Sequence, residues 1–582
     1  MKETLTFIPA TVDEMKARGI ERPDIVIVSG DAYVDHPAFG TAVMARLAEY
    51  CGMNVVVLAQ PNWRDDLRDF KKFGKPVYFF GVTAGCMDSM VNHYTARKRI
   101  RSEDAYTPGG KAGFRPDYAS IEYTRILKKL YPDVPVVLGG IEASLRRLTH
   151  YDYWSDSLKT SVLLESGADM ILYGMAERAF VTIIKKLQEG MEFDKLKDVP
   201  QTVLACNSHF EKLPGDVFLP SHEDCVRKKE VFAAMFAQLE KENSAMIQNR
   251  IVQKTGNKQI IVNPHFPPPT AEETDLSFDL PYTRLPHPRY KSKPPIPAFE
   301  MIKHSVTIHR GCFGGCAFCA INVHQGKFIA SRSEQSVLRE LKKIASSEDF
   351  RGHITDLGGP SANMYQMKGK DMKQCERCHR PSCLFPEICQ NLCYDHHPLL
   401  NMYEKAAQTE GVKLITIGSG IRYDMLVERD SKTDKTYGLS KYSKVLIKNH
   451  ISGRLKVAPE HLTEEVLKIM RKPSFDKFRA FHRVFQKIKD EERMKHELVI
   501  YLISNHPGSE DDDMKMLAKV TNAMGYRAET VQDFTPTPMT LSSVIWYTGI
   551  HPYTGKTIKS MQYSGRNKTQ KDWIVKNKRK KK

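Results

Sequence analysis

The chain has 582 residues, 41% hydrophobic and 27% charged, with a formal net charge of +18. No apolar run approaches the roughly 20 residues that span a bilayer, and "MKETLTFIPATVDEMKARG" lacks the apolar centre of a secretory signal, so neither a membrane-spanning nor a secreted protein is expected. The expected setting is cytoplasmic, where thiols stay reduced and clustered cysteines act as metal ligands rather than disulfides.

The first half alternates apolar β-rich runs with helical patterns. "DIVIVSG", "NVVVLAQ", "PVYFFGVTAG", "VPVVLGG" and "ADMILYG" read as buried strands, with helices such as "GTAVMARLAEYCG" between them. That order predicts βαβ units and a parallel sheet covered on both faces. Ligands of such sheets bind at the carboxyl ends of the strands, but no GxGxxG fingerprint marks a dinucleotide. Ten of the 32 prolines fall between Pro264 and Pro297. Proline removes a backbone donor and disfavours helix before it, so residues 211–298 read as a helical segment followed by an extended connector. Phe266, Phe278, Tyr282 and Tyr290 within it are apolar enough to pack on a domain surface.

A second alternation begins after Phe299. "SVTIHRG", "HITDLGG", "KLITIGSG", "RLKVAPE", "ELVIYLIS" and "RAETVQDF" read as six strands separated by helical patterns. Six is too few for a closed eightfold barrel and suits a partial (β/α)6 barrel with functional groups at the strand ends. The expected domains are therefore an N-terminal α/β domain at 1–210, the connector at 211–298, the barrel at 299–545 with an insertion at 362–397, and a C-terminal extension with a basic disordered tail at 546–582.

The first of those strands ends in "HRGCFGGCAFC", which places three of the 12 cysteines, Cys312, Cys316 and Cys319, on one glycine-rich loop. Thiolates select zinc, copper(I) or iron–sulfur clusters over hard cations. A structural zinc site closes with four ligands, and a [4Fe–4S] cube normally takes four cysteines. Three thiolates on one loop leave one corner of a cube open, as in catalytic rather than structural sites.

These residues resemble the Cys-x3-Cys-x2-Cys signature of radical S-adenosylmethionine (SAM) enzymes, including Phe318 before the last cysteine. The resemblance implies a [4Fe–4S] cluster whose open iron chelates SAM, and reductive cleavage of SAM to a 5′-deoxyadenosyl radical that abstracts hydrogen from a substrate. It also implies an electron donor such as flavodoxin or ferredoxin. Gly358 and Gly359 match the segment that contacts the SAM amino group in that superfamily. "VAPEHLTEEVLKIMRKP" and "SNHPGSEDDD" are similar to segments of methylthiotransferase-like members. With "GDAYVDHPAFG", "AQPNW", "RPSCLFPEICQNL" and "GIRYD" added, nearly the whole chain resembles the YgiQ-type radical SAM proteins, a subgroup without an established substrate. The implied fold class is α/β: an N-terminal doubly wound parallel sheet, similar to a cobalamin-binding domain, followed by a partial (β/α)6 radical SAM barrel.

"CERCHRPSCLFPEICQNLC" carries a second group, Cys375, Cys378, Cys383, Cys389 and Cys393. A structural zinc site, an auxiliary iron–sulfur cluster and unligated redox thiols all remain open there. Cys51, Cys86, Cys206 and Cys225 read as ordinary buried residues. Cobalamin is not expected: its histidine motif Asp-x-His-x2-Gly fails at His36 on both sides, and Asp35 or His36 is expected to cap a helix near Pro37 instead. Arg422 and Glu460 end the third and fourth strands, where polar groups either contact SAM or stand exposed without a role. "HYDYWSD" reads as loop packing or the lining of a substrate cleft. No catalytic acid or base is singled out.

From Ser564 to Lys582 the chain holds nine Lys/Arg and one Asp, which leaves +10 of the +18 for the other 563 residues. A solvated tail or an RNA contact through phosphates follows. The expected function is a radical SAM enzyme on an unidentified substrate, either RNA or a ribosomal component or a small metabolite. The contrasting reading is an iron–sulfur or zinc protein that binds nucleic acid without turnover.

Overall fold

The computed structural model describes residues 6–207, 210–427, 430–526, 530–560 and 570–575. The chain forms two compact units, one of residues 1–242, 247–269 and 273–303, the other of residues 243–246, 270–272 and 304–582.

The first unit is built on a nine-stranded sheet. Its elements in chain order are β1 (Ile25–Ser29), α1 (Gly40–Tyr50), β2 (Val55–Ala59), β3 (Phe79–Thr83), α2 (Ala119–Leu130), β4 (Val136–Gly139), β5 (Met170–Leu172), α3 (Glu177–Gln188), β6 (Thr202–Asn207), β7 (Val217–Leu219), β8 (Ile251–Thr255) and β9 (Lys258–Val262). The sheet order is β7-β8-β9-β6-β5-β4-β3-β1-β2. The run β2-β1-β3-β4-β5 is parallel throughout, as continuous apolar strands separated by helices require. Every residue of β1 and β2 is buried. In α3, Ala179, Phe180, Ile183, Ile184 and Leu187 recur at helical spacing and face the core. Each full-sized apolar side chain there contributes about 1.5–3 kcal/mol, so a charge at Ile183 would detach the helix.

The expected helical segment forms, as Lys229–Asn243, but the stretch around it also carries strands. Residues 211–298 supply β7, β8 and β9, and β9 pairs antiparallel with β6 to extend the sheet. Leu285–Pro286 then pairs with Val34–Asp35. Tyr282, Tyr290 and Ile296 join the core of this unit. The β-branched run in "KQIIV" carries a strand signal that the nearby prolines masked. Asp35 does not cap a helix either: it is buried against the Arg46 guanidinium at 2.5 Å, and α1 starts after Phe39. Of the four scattered cysteines only Cys225 is buried; the others are half-buried. "HYDYWSD" makes a hairpin, His150–Asp152 against Ser157–Lys159, with His150 to Tyr153 buried.

At the carboxyl ends of β1 and β3 sits a buried cluster of charged side chains. Arg115 lies 2.9 Å from both Asp31 and Asp104, and all three are buried. The Cys86 amide donates to Asp31 at 2.7 Å, and a Cβ on Gly85 would stand 2.1 Å from Asp31 Oδ1.

In the second unit the chain runs β10 (Ser305–Thr307), α4 (Glu334–Ala345), β11 (His353–Ile354), β12 (Asp356–Gly358), α5 (His397–Ala407), β13 (Leu414–Ile415), α6 (Leu439–Asn449), β14 (Arg454–Glu460), α7 (Phe475–Glu491), β15 (Glu497–Ser504), α8 (Asp511–Ala523), β16 (Thr530–Asp533) and α9 (Leu541–Thr548). All six expected strand segments contain strand, separated by helices. β10 pairs parallel with β12, β11 with β13, and β14-β15-β16 form a parallel ladder. Between the two groups the Ile417 amide donates to the His450 carbonyl at 2.9 Å. One apolar core, from Val306 through Phe485 to Val531, holds these elements together.

The C-terminal boundary also differs from expectation. α9 straddles residue 545 and is almost wholly buried. Within the expected disordered tail, α10 (Gln570–Val575) is a helix with Gln570 and Ile574 buried. Gln570 Oε1 accepts from the Asn505 amide at 2.7 Å and its Nε2 donates to the Ser509 carbonyl at 2.9 Å. The remainder of the tail, including the terminal "KNKRKKK", lies outside the described residues. Among the described residues no helix is long and apolar enough to cross a membrane.

Candidate metal centre

The loop after β10 is held on every side by backbone bonds. The Cys312 amide donates to the Gly326 carbonyl at 3.1 Å, the Ala317 amide to Met470 at 2.9 Å, and the Ser542 amide on α9 to Ala317 at 2.9 Å. Ser382 Oγ donates to the Gly314 carbonyl at 2.7 Å, and the Cys383 amide to the Phe313 carbonyl at 2.9 Å. A further close approach, that of Arg422, explains Gly314. A Cβ on Gly314 would stand 2.3 Å from Arg422 Nη1 and 3.3 Å from Cys312 Sγ. Phe318 lies edge-on to His506, ring centroids 6.3 Å apart. His506 Nδ1–H donates to the Pro507 carbonyl, so Nε2 accepts from Ser542 Oγ at 2.7 Å and the ring is neutral. Burial pushes its pKa down to about 3.

The three thiols sense one another. Burial, then the neighbouring Cys316 sulfur, pushes Cys319 up to about 12, and the same causes raise Cys312. Ionising them costs desolvation and mutual repulsion unless a strong positive charge sits among them. Arg422 supplies part of it: Nη1 lies 3.7 Å from Cys316 Sγ. Its Nε and Nη2 grip Asp424 at 2.9 and 2.6 Å, a bidentate pair that fixes the guanidinium. Asn363 clamps the backbone of Arg422, its Oδ1 accepting from the amide at 2.8 Å and its Nδ2 donating to the carbonyl at 3.2 Å.

Glu460 ends β14 at φ 67, next to a register shift in the ladder, so its carboxylate leaves the strand direction. It is buried, lies 3.6 Å from Lys472 Nζ, and interacts electrostatically with Cys319 and Arg422. Burial raises its pKa. Arg422 and Glu460 are thus buried at the three-cysteine loop, not exposed.

Gly358 lies in β12, opposite Thr307 of β10, and its carbonyl accepts from the Ile308 amide at 2.8 Å. A Cβ on Gly359 would stand 2.6 Å from the His309 ring. His309 escaped the sequence reading although it begins the motif stretch. It is fully buried, its pKa is pushed down to about 4 by burial, and neither ring nitrogen makes a hydrogen bond of normal geometry, the Ser361 backbone being its nearest polar influence. Asp356 anchors the adjacent "GSG" turn by accepting from the Gly418 and Ser419 amides at 2.9 and 3.2 Å.

Of the second cysteine group, Cys375, Cys378, Cys383 and Cys389 interact electrostatically, while Cys393 sits apart on a two-residue strand opposite Lys368. Among the described residues no three His, Cys, Asp or Glu side chains converge on a position for one ion. The first loop's thiols suit a cube, where each thiolate binds its own iron and the sulfurs stand apart.

Residues 7–305 match the protein family described as Radical SAM N-terminal. That stretch includes 211–298 and ends near the unit boundary at Lys303. The chain is 52% identical over 560 residues to a UPF0313 protein of Bacteroides thetaiotaomicron, spanning 94% of this chain and 90% of the relative. It is 43% identical over 574 residues to a UPF0313 protein of Bradyrhizobium diazoefficiens, spanning 94% and 83%. Among solved structures it is similar to the radical SAM methyltransferase TsrM from Kitasatospora setae with cobalamin and a [4Fe–4S] cluster bound, at TM-score 0.49 and 14% identity, over 89% of this chain and 74% of that one. It is also similar to the cobalamin-dependent SAM radical enzyme OxsB with aqua-cobalamin and SAM bound, at TM-score 0.49 and 10% identity, over 92% and 56%.

Proposed function

Because this chain belongs to the UPF0313 family, the YgiQ-type group of radical SAM enzymes, we propose that Cys312, Cys316 and Cys319 hold a [4Fe–4S] cluster that binds SAM at its fourth iron. The observation that carries the reading is three half-buried thiols on one glycine-shaped loop, with the Arg422 guanidinium 3.7 Å from Cys316 Sγ. When bound, the cluster and SAM supply a 5′-deoxyadenosyl radical, which takes a hydrogen atom from the substrate.

The chain's residues orient and insulate that chemistry. Arg422, fixed by Asp424 and Asn363, offsets the negative charge of the ligating thiolates. Gly358 and Gly359, without side chains of their own, let the amino-acid end of SAM approach the backbone beside the His309 ring. The neutral His309 nitrogens offer a donor and an acceptor there. Glu460 offers a carboxylate for hydroxyl groups. Phe318, backed by His506, forms an apolar wall.

The six strands of the second unit are read as a partial (β/α)6 barrel presenting this site at its strand ends. The setting is cytoplasmic, with a flavodoxin or ferredoxin as electron donor. The substrate is unidentified. Contact with RNA through the basic terminus remains a proposal whose residues lie outside the described ones.

Anaerobically reconstituted protein mixed with dithionite and SAM is expected to release 5′-deoxyadenosine. Cys316→Ala is expected to lose both the nucleoside and the cluster signal that responds to SAM. Release that survives the substitution would overturn the ligand assignment.

A further inference from the structure

We propose that Cys375, Cys378, Cys383 and Cys389 bind a second metal centre of the thiolate-seeking class, zinc or an iron–sulfur cluster, and that this centre braces the 380–383 backbone against the three-cysteine loop.

The excursion that carries these cysteines has little core of its own, although Cys383, Ile388 and Cys389 lie half-buried against the core of the unit. Between Lys370 and Asn391 it contains one five-residue helix, Met372–Glu376. Of its larger apolar side chains only Leu384 is buried. A segment without a core of its own takes its shape from a crosslink or a bound ion, and every cysteine here is a free thiol.

Local turns bring the thiols together in pairs. The Cys378 amide donates to the Cys375 carbonyl at 3.1 Å, and the Cys389 amide to the Cys383 carbonyl at 2.8 Å. Asn391 Nδ2 lies 3.4 Å from Cys375 Sγ, a donor suited to a thiolate, and a Cβ on Gly369 would stand 2.4 Å from the same sulfur.

Lys327 is the independent observation. It is only 3% exposed, donates to the Arg380 carbonyl at 2.9 Å, and no carboxylate pairs with it among the described residues. A buried ammonium without an anion is costly. The groups it favours in their ionised form are Cys375 and Cys383. Four thiolates around zinc, or around a cube in its oxidised state, carry net negative charge and would be that missing partner. The thiols do not converge on one point in this structure, so loading draws them in and releases their protons.

The position assigns a role. Cys383 and Ser382, which bond the backbone of Phe313 and Gly314, lie inside this loop. Asn322 Nδ2 reaches both the Cys312 and the Pro381 carbonyls at 3.4 Å. Fixing residues 375–389 therefore fixes one wall of the first loop.

The test uses full-length chain carrying Cys312→Ala, Cys316→Ala and Cys319→Ala together, purified anaerobically. The proposal predicts that about one zinc, or about four irons with sulfide, remains per chain. It predicts loss of that metal on adding Cys378→Ser and retention on adding Cys393→Ser. Because the first site is absent from this protein, the result is independent of it. On unmutated holoprotein, iodoacetamide should spare Cys375, Cys378, Cys383 and Cys389 until a chelator strips the metal, while Cys393 reacts at one rate throughout. Metal-free triple variant, or alkylation of the four cysteines that a chelator does not change, overturns the proposal.

Discussion

Arg422 stands between a sulfur and a carboxylate: Nη1 is 3.7 Å from Cys316 Sγ, and Nε and Nη2 are held by Asp424. Asp424 is buried, and its carboxyl stays below the usual range although burial opposes it, because the guanidinium outweighs that effect. Removing Arg422 as Arg422→Ala leaves a buried carboxylate unpaired, a loss of about 3–5 kcal/mol. Arg422→Lys keeps the charge but loses the two-pronged grip. Thermal melts should rank wild type above Lys above Ala, and potentiometric titration should place the cluster potential lower in Ala than in wild type, since a cation favours the reduced state.

Gly314→Ala tests the closeness of that arrangement. Its Cβ would lie 2.3 Å from Arg422 Nη1, so the loop or the guanidinium must shift. Iron content after reconstitution should fall severalfold while far-ultraviolet dichroism is unchanged. Full iron loading would show that the loop tolerates the methyl group.

Stability should fall on both sides of neutrality. Burial lowers His309, His396 and His461 to about 4 and His506 to about 3, below the 6.5 of an unfolded histidine. Their contribution is present above pH 6.5 and is lost as pH falls toward 4. Burial raises Cys319 to about 12, above an unfolded thiol near 9. Its contribution in metal-free protein is present below pH 9 and lost as pH rises toward 12. Melts of chelator-stripped protein between pH 4 and 10 should therefore peak near neutrality. A loaded cluster should flatten the alkaline side, because its thiolates are already ionised.

The C-terminal helix should matter where the basic terminus does not. Ending the chain at Val575 should leave the melting temperature unchanged. Ending it at Thr569 removes the bonds of Gln570 to Asn505 and Ser509 and the buried Ile574. The loss is about 3–7 kcal/mol from an apolar side chain and three buried hydrogen bonds. Equal melting temperatures for the two truncations would contradict the docking of α10.

The buried ion pairs at the strand ends of the first unit give an optical prediction. Arg115, between Asp31 and Asp104, occupies the strand ends. Hydroxocobalamin should stay free in equilibrium dialysis, and Asp31→Ala should lower stability by removing one of the two carboxylates on Arg115 and the acceptor of the Cys86 amide, rather than create binding. Retention of the corrin by unmutated protein would contradict this.

What could be read from the sequence was what short spacing encodes. The three-cysteine loop is one segment, and the six strands of the second unit each carry their own apolar run. Non-local relationships could not be read. β8 and β9 form a local hairpin around Gly256 and Asn257, a mark that the proline content hid, whereas the pairing of β9 with the distant β6 leaves no local mark. Gln570 sat in a basic run, and only the folded chain shows its amide bonded 65 residues away. His309 was hidden by its neighbours: a histidine next to cysteines reads as context until burial and the approach of Gly359 are known. Arg422 and Glu460 were found by position, at strand ends, and their burial came from the structure alone.

The central claim is a cluster held by Cys312, Cys316 and Cys319 with one iron open to SAM. Its most direct test is the paramagnetic resonance spectrum of the dithionite-reduced, anaerobic protein before and after SAM is added. A shift in the cluster signal on addition, absent from Cys316→Ala, is the predicted result. A fully loaded, reduced protein whose spectrum SAM leaves untouched would contradict it.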